Sequence, residues 1–113
     1  MKLKTIIIAF NGITQVYDSI EEFKRKWELL SAYKELREVM DMFEKEKEKK
    51  LSDLMNEQKQ ISPINVPKAN ARIAEIAEQE IKLKNQLKFT KQEIEKSKIK
   101  GSELVNIIDF IKE

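Results

Sequence analysis

The sequence predicts a mainly α protein of α+β type: an N-terminal β-hairpin, a long antiparallel helical hairpin of coiled-coil kind, and a short C-terminal helix. Three observations carry this. Residues 19–60 contain neither glycine nor proline, and their apolar side chains return every three or four positions. Asn11-Gly12 sits in the middle of an apolar N-terminal stretch. Pro63, Pro67 and Gly101 punctuate an otherwise helical remainder.

Residues 1–18 read as the hairpin, because Asn-Gly tolerates the positive φ angles of a two-residue type I′ turn. Such a turn sets Phe10 opposite Ile13, Ile8 opposite Gln15 and Ile6 opposite Tyr17, leaving both faces largely apolar. A lone hairpin is marginal in water. It is therefore covered by helices of its own chain or pairs with a second copy. In the second arrangement Ile6, Ile7, Ile8, Phe10, Val16 and Tyr17 form a homodimer interface. Addition of another protein's strand is a third use of the same edge.

Residues 19–60 read as the long helix. Ile20, Phe23, Trp27, Leu30, Tyr33, Leu36, Met40 and Phe43 share one side, and Leu29, Val39 and Met42 widen the stripe. Ser19 with Glu22 has capping-box spacing. From Glu44 to Lys50 no residue is apolar, and Glu alternates with Lys. Good helix formers with opposite charges three apart form a solvated span, or else a binding face.

Residues 61–67 break the helix, since proline removes an amide and disfavours helical geometry before it. The connection is apolar, so Ile61, Ile64 and Val66 either tuck against the helix ends or make a partner-docking tip. Residues 68–99 read as the second helix, with Ile73, Ile76, Leu83, Leu87 and Ile94 on a seam that Glu80, Thr90 and Ser97 interrupt. A diluted seam and a short link favour antiparallel packing on the first helix. Gly101 supplies a left-handed stop. Residues 102–112 close the core with Leu104, Ile107, Ile108 and Ile111. All 113 residues form one domain.

Composition narrows function. With no cysteine and no histidine, disulfides, thiolate nucleophiles, Cys/His zinc sites and imidazole acid–base chemistry are excluded. There is no phosphate loop, no Gly-x-Gly fingerprint and no metal-ligand spacing. Carboxylates lie among lysines along helices, and Ser31, Ser52, Ser62, Ser97 and Ser102 have no base to activate them. The expectation is a protein that is not an enzyme and needs no cofactor and no metal. No stretch reaches the roughly 20 apolar residues of a membrane span. The run from Ile6 to Phe10 is short for a signal peptide. A cytoplasmic location without a membrane partner follows as the expectation.

One asymmetry in charge stands out. Between Lys82 and Lys100 seven lysines face two glutamates, a local balance of +5 against +2 for the whole chain. On a continuous helix Lys84, Lys88, Lys91 and Lys98 share a face. That face is solvated, or it binds phosphates or an acidic partner without reading sequence. Abundant lysine and isoleucine with little arginine suit an AT-rich genome, such as a low-GC bacterium or its phages. A helical hairpin with a small β element resembles prefoldin subunits, which carry their β-hairpin between two long helices. Here the hairpin comes first, and no function carries across. The expected function is protein interaction as an adaptor, assembly factor or inhibitor acting as a homodimer. Nucleic-acid binding through the lysine face is the alternative.

Overall fold

The computed structural model describes residues 1–112 and is mainly helical. Its helices are α1 (Leu3–Ser19), α2 (Phe23–Leu51), α3 (Val66–Ala77), α4 (Lys91–Ser97) and α5 (Gly101–Asn106). Short 3-10 turns cover Ser52–Leu54, Pro63–Asn65 and Ile108–Phe110. Among the described residues there is no sheet, only isolated bridges.

The N-terminal hairpin is therefore corrected to a helix, and α1 is the element the rest wraps. Leu3, Ile6, Ala9, Ile13 and Val16 are buried at steps of three and four, the spacing of one helix face. That face packs on α2, α3, α4 and α5. Gly12 has no positive φ. A Cβ there would stand 2.8 Å from Ile107 Cγ2 on the segment after α5. The glycine serves close approach of two elements rather than a turn.

The chain turns at once into α2. Ser19 ends α1, its hydroxyl donating to the Val16 carbonyl at 2.7 Å, and Glu22 rather than Ser19 precedes the second helix. Leu29, Ala32, Leu36, Phe43 and Leu51 are the buried residues of α2. The helix stops at Leu51, short of residue 60. Arg72 reaches back from α3 to the Lys50 carbonyl at 2.9 Å and the Asp53 carboxylate at 2.6 Å. The Asn56 side chain accepts from the amides of Gln58 and Gln60, and Lys59 adopts φ 59°. These local bonds replace helical ones.

The expected second helix is broken in two. After Ala77 the chain becomes extended and joins the N-terminus: Leu3 donates to the Gln79 carbonyl and Ile81 to that of Met1, both at 2.8 Å. Leu87 and Phe89 are buried and Ile81 and Leu83 pack against the same core, whereas Lys82, Lys84 and Lys88 are exposed. That period of two belongs to an extended segment. The Glu35 carboxylate fixes this segment to α2 by accepting from the amides of Lys84 (2.7 Å) and Asn85 (2.9 Å).

Thr90 opens α4 with a capping box to Glu93. Lys98, not Gly101, takes the left-handed stop, with φ 55°. The closing helix spans only Gly101–Asn106, followed by the Ile108–Phe110 turn. Phe89 then donates to Phe110 (2.8 Å) and accepts from Lys112 (2.7 Å), holding the C-terminal segment to the core. A main core gathers Ile6, Ile13, Leu36, Phe89 and Ile107; Leu3, Phe43 and Ile76 form a second cluster. The molecule measures 47 × 28 × 24 Å.

Candidate partner-binding surface

The core takes α2 by Leu29, Ala32, Leu36 and Phe43, and this choice turns another apolar row outward. Phe23, Trp27 and Leu30 occupy positions i, i+4 and i+7, one side of the first two turns. They are 77%, 65% and 37% exposed. The rings of Phe23 and Trp27 stack on each other, centroids 6.0 Å apart and planes 26° from parallel. All three belong to the apolar stripe that the sequence shows on the long helix, yet Phe23 and Trp27 are left mostly in solvent.

The row rests on a firmly held platform. On one flank Tyr17 of α1 stacks on Tyr33 of α2 at 4.1 Å, and Phe10 stacks on Tyr33 at 6.0 Å. The Tyr33 hydroxyl also lies 3.0 Å from that of Thr14. Lys26 places its ammonium 5.2 Å from the centre of the Tyr17 ring. On the opposite flank Arg25 binds Glu93 through Nε (2.7 Å) and Nη2 (3.1 Å) and donates to the Lys88 carbonyl (2.9 Å). One guanidinium so joins α2, the extended segment and α4. Burial pushes the Glu93 carboxyl up, but bonds from Arg25 and Thr90 outweigh it and hold its pKa below the ordinary value. The Arg25 guanidinium is raised, chiefly by its hydrogen bond to Glu93.

The residues singled out in the sequence fall elsewhere. Ile6, Val16 and Tyr17 lie inside the chain's own core, Ile7 and Phe10 are half-buried against it, and Ile8 is 54% exposed. They do not form a common outer face, and among the described residues there is no strand edge for them to offer. At the α2–α3 connection Ile61 is half-buried and bridges Met55, Val66 is exposed, and Ile64 is 86% exposed. The four lysines share no helix face. Lys84 and Lys88 lie on the extended segment, Lys91 opens α4 and Lys98 ends it. The Lys88 ammonium, moreover, donates to the Asp109 carbonyl.

Among the described residues no group of three or more acidic side chains is placed to hold a metal ion. No helix of the described residues is long and apolar enough to cross a membrane. The cleft beside the α1–α2 corner, lined by Ser19, Glu21, Glu22, Arg25, Glu93 and Lys96, contains the Arg25–Glu93 clasp. Its serine hydroxyl is committed to a backbone carbonyl. No protein-family model, curated protein or solved structure matches the chain.

Proposed function

We propose that the chain is a non-catalytic protein-interaction module whose docking surface is the outer face of the first two turns of α2. One observation carries this reading: the stacked, solvent-facing pair Phe23–Trp27, extended by Leu30. Large aromatic side chains cost free energy when left in water, and contiguous exposed apolar residues on a folded chain mark interaction sites. Tryptophan is also among the residues most enriched where binding energy concentrates. The helix beneath is held on both flanks, by the Tyr17–Tyr33 stack and by Arg25–Glu93, so the anchors are presented by a rigid element. Adaptor, assembly-factor and inhibitor roles all operate through such a surface. Nucleic-acid binding lacks comparable support, since the lysines meant for it occupy an extended segment and the two ends of α4.

The test is site-specific photocrosslinking in cells of the source organism, with a benzophenone amino acid at position 27 or at position 45. Position 45 is the control, an exposed site in the charged half of α2. The expected result is a discrete protein adduct from position 27 that disappears with Phe23→Ser. No adduct, or equal adducts from both positions, contradicts the reading.

A further inference from the structure

We infer that this surface takes an amphipathic helix whose apolar seam is flanked by carboxylates; the inference rests on the docking reading above and specifies its partner. Phe23, Trp27 and Leu30 are spaced four and then three apart, as the d, a and d positions of a heptad seam. In that register Lys24 is an e position and Lys26 a g position, while Lys34 occupies the a position after Leu30. Charges at e and g flank the seam and set partner choice. Lys24 and Lys34 are exposed and Lys26, its ammonium 5.2 Å from the centre of the Tyr17 ring, is half-buried at the g edge, so the three line the seam that a partner's acidic side chains would meet.

The carboxylates nearby do not cancel this rim. Glu28 is turned to the far flank, where it pairs with Arg25 at 3.5 Å. Glu21 and Glu22 precede the first turn of α2, and Glu38 lies two turns past Leu30. Within the apolar span the e and g positions are both lysine, while Glu22 and Glu28 occupy the outer c and b positions. A second copy of the chain would bring the same lysines to both sides of the seam, which like-charge repulsion opposes. An acidic amphipathic helix supplies apolar side chains for the ridge and carboxylates for its edges. The contact covers about two turns, roughly 10 Å of helix, and so is small and transient.

The test uses fluorescein-labelled heptad peptides with an identical leucine seam, one carrying Glu at every e and g position and the other Lys. Binding is read by anisotropy on the full chain, whose folding is checked by circular dichroism. The Glu peptide is expected to bind about tenfold more tightly than the Lys peptide, since each exposed ion pair adds a small factor and each like-charge contact removes one. The double variant Lys24→Glu, Lys26→Glu should reverse the order, and Trp27→Ser should weaken both. Equal binding of the two peptides, lost in Trp27→Ser, would overturn the charge rule and leave the docking surface intact. If neither peptide binds while the crosslink from position 27 persists, the acidic-helix partner is wrong. Preference for phosphatidylserine–phosphatidylcholine vesicles over the Glu peptide would overturn it in favour of a membrane surface.

Discussion

Gly12 shows how one residue type can serve opposite purposes. Asn-Gly between apolar runs is a strong turn signal, yet the glycine lies mid-helix, buried where α1 meets Ile107. Replacing glycine by alanine inside a helix ordinarily stabilises it by up to about 1 kcal/mol. Here the added Cβ would stand 2.8 Å from Ile107 Cγ2 and 3.2 Å from Ile99 Cδ1, so the segment must move. Overpacking of this kind costs about 1–3 kcal/mol. Gly12→Ala is therefore expected to lower the melting temperature in calorimetry. A rise would show that α1 and Ile107 do not approach as closely as described. Trp27 gives the second lesson at this scale. It lies in a row that repeats every three or four residues, and spacing alone does not say which side of a doubly apolar helix meets the core. That choice depends on Leu29, Ala32 and Leu36 fitting against α1, a tertiary fact.

At the level of elements, the helical character of most of the chain was legible because periodic apolar positions over long spans admit few alternatives. The helical identity of α1 was not legible: Leu3, Ile6, Ile13 and Val16 carry a helical repeat, but β-branched residues around Asn-Gly fit a strand equally well, and the turn signal favours the hairpin. Residues 81–89 carried two patterns at once. Ile81, Leu83, Leu87 and Phe89 fall at steps of two and four, and a three–four repeat can be drawn through some of the same residues. Bonds invisible in the sequence decide between them, namely Leu3 to Gln79, Ile81 to Met1, and the Glu35 carboxylate to the amides of residues 84 and 85. Glu35 makes this testable. Its pKa is held below the usual 4.5, chiefly by the backbone bond from Lys84. In the folded chain it is the harder of the two states to protonate, so its contribution is complete above the unfolded value and is lost as pH falls through the folded one. Glu35→Gln should cost about 0.5–1 kcal/mol at neutral pH, discounted for solvent exposure. It should also flatten the decline in stability below about pH 4.5. An acid limb identical to that of the native chain, measured by urea unfolding, would show that this carboxylate does not secure the extended segment.

For the molecule as a whole, the expected sheet-mediated dimer has no strand to act through among the described residues, and the core closes within one chain around α1. Exposed apolar residues form a row on α2 (Phe23, Trp27 and Leu30) and a group around α5 (Leu104, Val105 and Ile108), with Ile8, Met42 and Ile64 elsewhere. The α2 row differs from the aliphatic group in carrying two large aromatic rings stacked on each other, the side chains most used where binding energy concentrates. Because Trp27 is the sole tryptophan, its fluorescence reports on that face alone. The most direct measurement is the emission maximum and acrylamide quenching of the free chain across a dilution series. An emission like that of indole in water, quenched freely and unchanged on dilution, is the predicted result. A blue-shifted, protected emission that persists at the lowest concentration would mean that Trp27 is buried within the chain, and the docking surface would not exist.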